Sequence, residues 1–551
     1  MMADKSQAGI AAKIKSLGRW RFSIESRRHL SIHLMLTGTL IGILVGFVIS
    51  LFRIAINAIH EAVLPYLSPE FMNSKHIVIL LSFIAVSAAI AAVVTKIEPL
   101  ISGSGIPQVS AQLFGRLHPS WQKVLPAKLI GGLACLGSGL SLGREGPSIQ
   151  IGAALGDGLG DLLKSPQSER RYLLTGGAAA GLAAAFNAPI SGMMFAMEEL
   201  HRSFSPTVLV VSMAAAFSAV FVSASFFGIG PILHFYNFAP LPTDCYFYIV
   251  ILGFITALSG TLFNKLILAG KAFYAKLALP SYVQHSLPFI ITAVALLLMP
   301  ELFGSGEEFI FFPVRDNPEL SHILLLYVLK LALLLLAFCS GLPGGIFFPL
   351  LVLGSLVGNA YGQIGYSLGL WESNYILVFS LLAMCGHLTA IVRSPLTGIL
   401  LVTELTSSFA FLLPLGISAL SAFILAEFLK TRPIYEELQE LLPGIDRDVQ
   451  KLQEGTQKAI ESGNRVLLEL NVEIGSKVDG LQLKEIPLPP NVLIIAIKRG
   501  TSEFFPHSGM VVQGGDLLVS YVPQKMIPLI KTHLLPLLRE ADDPSLHMKS
   551  R

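Results

Sequence analysis

The sequence predicts an all-α polytopic membrane protein. Its body is two repeated halves with many tilted and broken helices, followed by a small α/β cytoplasmic domain. Three observations lead there. The 551 residues are 53% apolar and only 14% charged, with a mean hydropathy of +0.66, whereas a soluble chain carries roughly 25% charged residues. Charge is also uneven: about one residue in four is charged from Glu436 to Arg551, against about one in nine before it. Finally, a glycine-rich segment near Gly143 recurs near Gly345. These features exclude a soluble enzyme, a disordered chain and a disulfide scaffold. A net charge of +3 gives no reason to expect a nucleic acid polymer as partner. Cys135, Cys245, Cys339 and Cys385 are far apart, with no CxxC spacing, and read as free buried thiols with no metal site.

Residues 1–30 hold Lys5, Lys13, Lys15, Arg19, Arg21, Arg27 and Arg28 against Asp4 and Glu25. This basic arm reads as cytoplasmic, because Lys and Arg are enriched on that side. No apolar h-region follows the first Met to make a cleavable signal. Residues 31–435 form the membrane body, 436–461 a polar linker, 462–540 a regulatory domain and 541–551 a tail. A cytoplasmic domain behind a cytoplasmic arm requires an even number of crossings.

Clean apolar spans, at the ~20 residues a bilayer needs, run over Leu34–Phe52, Ile77–Val94, Val208–Phe227, Tyr246–Leu268, Phe289–Leu302 with its flanks, and Leu324–Phe338. Other apolar runs are short or interrupted, by the glycines of 131–160 and by Pro147, Pro189, Pro343, Pro349 and Pro395. Broken backbone at membrane depth is tolerated only inside protein or along a watery cavity. The interruptions repeat. Ser138–Pro147 aligns with Ser340–Pro349, Gly152, Gly156 and Gly160 with Gly354, Gly358 and Gly362, and Pro189–Gly192 and Glu198 with Pro395–Gly398 and Glu404. Corresponding breaks in two halves point to a site at their interface.

The breaks share one design. Gly103–Pro107, Gly143–Pro147 and Gly345–Pro349 each place glycine, which lets the backbone turn, before a proline suited to the first helical turn. Each reads as a loop feeding a helix N-terminus, where free N–H groups bind anions without a full positive charge. Such a site releases its ion readily, which suits conduction. Glu145 lies in one of these loops. An intramembrane carboxylate is costly and marks function. On an anion-binding terminus it would occupy the anion's place, and protonation would release it. The structural alternative is an ion pair with Arg144 or Arg393. Glu198 and Glu199 close the apolar run 190–197, either as solvated caps or with one feeding protons toward Glu145. His387 lacks a metal-spaced partner, which argues against an intramembrane enzyme.

In this order and spacing, GSGIP (Gly103–Pro107), GREGP (Gly143–Pro147) and GGIFFP (Gly344–Pro349) resemble the CLC family of chloride channels and proton–chloride antiporters, over about Arg28 to Tyr435. The resemblance implies two inverted-repeat halves of opposite orientation, a homodimer with one pore per subunit, chloride and protons as substrates, and no cofactor. It implies that the Ser104 hydroxyl and the Tyr435 phenol bind a central chloride together with the N–H groups of Ile346 and Phe347. Arg144, Glu145 and Gly146 would serve an outer chloride site, and Glu145 would be the gating glutamate. Lys128 matches a basic residue near the inner pathway, or snorkels. Glu199 aligns with the internal proton-transfer glutamate, usually apolar in the family's channels. Keeping both Glu145 and Glu199 implies a secondary active antiporter; the alternative is a passive voltage- or pH-gated chloride channel. Ser104 in place of proline implies chloride over nitrate, and Ser104 with Tyr435 argues against the fluoride-exporting branch. Gln108 departs from the glutamate that commonly follows GSGIP, which leaves the site intact but alters its local charge.

The C-terminal part alternates as short strands at Arg465–Leu470, Asn491–Ile497 and Asp516–Val522. Ile494–Gly500, Pro506 and Gly514–Val519 resemble the C-terminal subdomain of RCK-type potassium-transport regulators, the TrkA-C domain, and not the paired CBS domains of eukaryotic CLC proteins. This resemblance implies dimerisation and a cytoplasmic small-molecule regulator, a cyclic dinucleotide; the alternative is a dimer-stabilising domain without ligand. The expected location is the inner (plasma) membrane of a prokaryote, multi-pass, with both termini cytoplasmic.

Overall fold

The computed structural model describes residues 3–67, 73–202, 204–230, 232–233, 235, 241–315, 317–443, 465–489, 492–499, 502–504, 506–523, 527, 530 and 533–539. The 541–551 tail, Gly500, Asn491 and most of the 436–461 linker lie outside them. Two compact units divide the chain. Met35–Leu163 with Tyr172–Pro443 forms one, and Met1–Leu34, Lys164–Arg171 and Gly444–Arg551 the other.

Among the described residues nine helical stretches are long and apolar enough to cross a membrane. Six correspond to the clean spans read from sequence: within α1 (Ala3–Val63), α2 (Ser74–Ile97), α8 (Pro206–Phe227), α9 (Tyr246–Lys276), α10 (Ser281–Leu298) and α11 (Leu320–Cys339). The fifth expected span shifts toward the N-terminus: α10 starts at Ser281, and Met299-Pro300 ends it before a 3-10 turn. Three more, α12 (Phe347–Ser367), α13 (Tyr375–Val392) and α15 (Leu412–Phe428), come from the region where glycine and proline interrupt apolar runs. Seven further helices complete the body: α3 (Ile106–Leu113), α4 (Trp121–Gly137), α5 (Glu145–Leu162), α6 (Gln167–Phe186), α7 (Pro189–Phe195), α14 (Pro395–Thr406) and α16 (Ile434–Glu440). α1 is one continuous helix, so the basic arm is helical from Ala3.

The repeat is an inverted one, and its two-fold relation is visible bond by bond. Gly143 N–H donates to the Gly345 carbonyl at 2.7 Å, and Gly345 N–H returns the bond to Gly143 at 2.7 Å. α4 through α8 correspond in order to α11 through α15. The matched glycines pack the helices. A Cβ on Gly152 would lie 2.1 Å from the Gly177 carbonyl oxygen of α6, and one on Gly358 would lie 2.3 Å from the Phe379 oxygen of α13. Small residues thus bring α5 against α6 and α12 against α13 by backbone contact. The four cysteines are free and buried.

The C-terminal domain holds a four-stranded sheet of order β1-β4-β2-β3, all antiparallel: β1 (Arg465–Asn471), β2 (Leu493–Arg499), β3 (Ser502–Phe504) and β4 (Leu517–Pro523). The three strands read from sequence are present, each shifted or extended by one or two residues; β3 was not anticipated. Leu470, Ile494, Ile497, Leu518 and Val522 pack with Ile530, Leu534 and Leu538, the last from α17 (Leu535–Leu538), as one core. A bidentate pair closes the edge of this core. Buried Asp516 accepts from Arg499 Nε at 2.7 Å and Nη2 at 2.8 Å, and from Gln513 N at 2.8 Å. These bonds hold the Arg499 guanidinium above its ordinary pKa. Asp516→Asn is expected to destabilise the domain by about 2 kcal/mol, since it weakens charge-assisted bonds to a buried acceptor. Faster limited proteolysis of the domain within the full-length protein checks this.

Candidate functional site

Three loops converge where the halves meet. Gly103 N–H donates to the Leu342 carbonyl and Gly344 N–H to the Gly103 carbonyl, both at 3.1 Å. The reciprocal Gly143–Gly345 bonds add the third loop. Gly146 closes the set: a Cβ there would lie 2.6 Å from the Ser104 carbonyl oxygen, 2.7 Å from Ser104 Oγ and 3.0 Å from Gly345 Cα. Only a residue without a side chain leaves this space open. The sequence therefore brings GSGIP, GREGP and GGIFFP to one point.

Two buried hydroxyls line the space. Ser104 and Tyr435 are each 2% exposed. Their hydroxyls face one another closely enough to interact, yet neither makes a hydrogen bond to a described residue. Buried hydroxyls are normally paired, so two unpaired ones mark a place for a bound species. The N–H groups of Ile346 and Phe347, at the start of α12, donate to no backbone carbonyl among the described residues. The Phe347 ring packs edge-on to Phe195 at 6.2 Å and near Phe186 at 5.9 Å, walling the site with apolar surface. Tyr435 is set by the segment before α16: Asn264 on α9 holds the Arg432 and Ile391 carbonyls at 3.2 and 3.3 Å.

Glu145 is 1% exposed and begins α5. Its carboxylate is stabilised electrostatically by its own N–H and by that of Phe348, at the start of α12. Oε2 has no partner and lies against Gly143, 2.3 Å from where a Cβ would stand. A carboxylate is thus seated on the helix terminus of the opposite half, as an anion would be. Arg144 is an electrostatic neighbour, but the Arg393 alternative is excluded: Arg393 donates to the Phe423 and Thr431 carbonyls at 3.0 and 2.8 Å. Glu199 is 5% exposed, within a π turn at 196–201, and accepts from Ser394 Oγ at 3.0 Å. Arg202 and Glu436 are its charged neighbours and pair with each other. Tyr435 lies in the field of both Glu199 and Glu145, so the phenol is the group the two carboxylates share. A cavity of about 410 Å³ reaches Ser104, and a separate one of about 370 Å³ reaches Arg144, Glu145 and Phe348.

Two residues have different surroundings from those read in sequence. Lys128 does not snorkel. It is fully buried, and its Nζ donates to the Ile101 and Gly103 carbonyls, both at 2.7 Å, clamping the loop that carries Ser104. Glu198 is not a solvated charge. Its carboxylate accepts from Leu396 N at 3.0 Å, Thr397 N at 2.7 Å and Thr397 Oγ1 at 2.7 Å, capping α14. His387 bonds the Leu350 carbonyl at 2.9 Å and Ser259 at 3.2 Å, and no metal-holding cluster occurs among the described residues.

The two-fold relation supplies the partners that sequence reading missed. Lys330 Nζ donates to the Leu302 and Gly304 carbonyls, as Lys128 does to its own loop. Gly304-Ser305-Gly306 is therefore the counterpart of Gly103-Ser104-Gly105; its signal was hidden because Glu307 and Glu308, not Ile and Pro, follow it, and only a five-residue 3-10 turn forms. Glu404 accepts from Ile190 N at 2.9 Å and from Ser191 N at 2.7 Å, capping α7 as Glu198 caps α14. Each carboxylate latches one half to the other. Glu404→Gln turns one acceptor into a donor facing an N–H, so it is expected to cost about 2 kcal/mol. A lowered melting temperature in detergent measures it, and Glu198→Gln should cost a similar amount by symmetry.

Comparison with known proteins places the chain in a family. Residues 84–427 match the family described as voltage gated chloride channel, and residues 467–528 match the TrkA-C domain. The chain is 34% identical over 424 residues to the H(+)/Cl(-) exchange transporter ClcA of Vibrio vulnificus strain YJ016, covering 74% of this chain and 89% of that one. It is 35% identical over 416 residues to the transporter of the same name from Vibrio cholerae serotype O1 strain M66-2, covering 72% and 87%. Among solved structures it is similar to a slow cyanobacterial Cl−/H+ antiporter, with 29% identity, a TM-score of 0.68, and 74% and 97% of the two chains covered. The matched stretch contains the three converging loops and both helix termini, and on that ground the chain belongs to the voltage gated chloride channel (CLC) family, with a TrkA-C domain behind its membrane body.

Proposed function

We propose that this chain is a secondary active antiporter exchanging chloride for protons. One observation carries the reading: the unpaired buried hydroxyls of Ser104 and Tyr435 adjoin two buried carboxylates, Glu145 and Glu199, both in the field of the same phenol. The names of the relatives support it. Chloride sheds water against the two hydroxyls and the N–H groups of Ile346 and Phe347. The helix terminus supplies partial positive charge, and no lysine holds the ion too tightly to leave. Glu145 stands in the next position as a tethered anion. When its carboxylate takes up a proton it loses its charge and releases the N–H groups, and chloride moves to those of Arg144, Glu145 and Gly146. Glu199 exchanges protons with the cytoplasm, so proton and chloride leave the shared path at Tyr435.

The basic 1–30 arm supports cytoplasmic termini, and the Vibrio relatives support the inner membrane of a prokaryote. The working unit is a homodimer with one pathway per subunit. The TrkA-C domain takes a small cytoplasmic ligand, a cyclic dinucleotide, and tunes exchange; calorimetry of the full-length protein with cyclic di-AMP that gives no heat would remove this ligand. The exchange itself is tested in liposomes with a chloride gradient and a pH electrode outside. Downhill chloride flux that drives protons uphill is the expected result. Chloride flux without proton movement would make the protein a channel.

A further inference from the structure

The cavity beside Ser104 has a charge that the exchange cycle does not use. Lys96, Lys271, Gln108 and His285 line it, and none of its described lining residues is acidic. Among the described residues no carboxylate lies within ion-pair distance of Lys271 or Lys96. Nearby acids are engaged elsewhere: Glu98 caps the turn at Pro99–Ile101, and Glu437 and Glu440 bond Arg432. The cavity beside Glu145 is the reverse, with Glu301, Glu307 and Glu308 against Arg144.

Lys271, on α9, is the cation placed to act on the site. Its Nζ lies 5.1 Å from the centroid of the Phe338 ring. The edge of that ring packs against Gly103, 3.5 Å from where a Cβ would stand. One aromatic ring therefore separates the ammonium from the loop that carries Ser104. The ring face balances the charge only in part, and the remainder acts on whatever enters the cavity. Gln108, on the same wall, is buried. Its Nε2 donates to the Ser102 carbonyl at 2.6 Å and its Oε1 is unpaired. A carboxylate in that position would oppose Lys271.

We propose that Lys271 makes this mouth an anion antechamber, which raises the local chloride concentration and loads the Ser104 position, and that a neutral residue at 108 keeps the antechamber positive. The proposal rests on the chloride reading above. Low-dielectric walls lined by one sign of charge focus the field and concentrate counter-ions. Lys271 is a positioning residue: it touches no reacting group and acts on the approach of the ion.

The test varies chloride on each side of liposomes in which a C-terminal tag has selected one orientation. Lys271→Gln is expected to raise half-saturating chloride on the Ser104 side by about three- to tenfold, with little change in maximal rate or on the other side. The difference shrinks when an impermeant salt is added, because screening falls within about 8 Å at physiological ionic strength. Lys271→Arg restores the wild-type value. Gln108→Glu raises half-saturating chloride in the same direction while leaving Lys271 in place, and it carries the test if Lys271→Gln does not fold. Unchanged half-saturation in both folded variants, or an equal change on both sides, overturns the proposal. Failure of the exchange reading is seen separately, as wild-type chloride flux without protons, and leaves the chloride half-saturation readable.

Discussion

Liposomes containing Glu199→Gln are expected to pass chloride down its gradient while coupled proton movement falls by about a hundredfold or more. Glu199 is buried, touches Ser394, and has no place among the hydroxyls and N–H groups that line the cradle. Gln keeps the shape and the bond from Ser394 but cannot take up a proton. Glu145→Gln is expected to differ. It removes the tethered anion from the Phe348 N–H, so proton coupling is lost here too, but chloride flux no longer depends on pH. The pair separates the two carboxylates: Glu199 matters to protons alone, and Glu145 to both ions. Equal loss of chloride flux in the two variants would contradict the assignment, and parallel chloride and pH recordings on the same vesicles decide it.

The parts of the site legible in the sequence are those whose chemistry is local. A glycine loop followed by proline announces a helix terminus, which marks the starts of α3, α5 and α12 and singles out Glu145; Ser104, Ile346 and Phe347 came only with the resemblance to the CLC family. Repetition made the halves visible, because the glycines of α5 and α12 recur at fixed separation. What escaped were bonds made across the two-fold relation. Lys128 carries no mark of the carbonyls it clamps, since Ile101 and Gly103 offer only backbone. Glu198 reads as a surface cap because the N-terminus it caps belongs to α14, about two hundred residues away. Two of the three helices missed as spans, α12 and α13, are inner ones. α13 is buried along nearly its whole length, so its polar Ser380, His387 and Thr389 face protein instead of lipid. In the C-terminal domain the longer strands alternate clearly, whereas β3 has only three residues and too few positions to show a period.

Gly146→Ala should lower chloride turnover by about tenfold at least, and about a hundredfold if the backbone cannot shift, with the fold retained. The methyl group would lie 2.6 Å from the Ser104 carbonyl oxygen and 2.7 Å from its hydroxyl. Both distances are well inside contact for carbon and oxygen. Ser104 cannot retreat freely, because its loop is held by Lys128 behind Gly103 and by the Gly103 bonds to Leu342 and Gly344. Nor can Gly146 move away, since Gly143 and Gly345 fix the start of α5 against the start of α12. The methyl therefore fills the space that the proposed path would cross. Ser104→Ala provides the contrast. It removes one of two hydroxyls without narrowing the path, so half-saturating chloride should rise by about tenfold, near the 1.5 kcal/mol of one hydrogen bond, while the rate at high chloride persists. Turnover in liposomes, with matched elution on gel filtration, reads both. If Gly146→Ala lost only affinity and recovered its rate at high chloride, the meeting point of the three loops would not be the ion's path, and the cradle would have to be placed elsewhere.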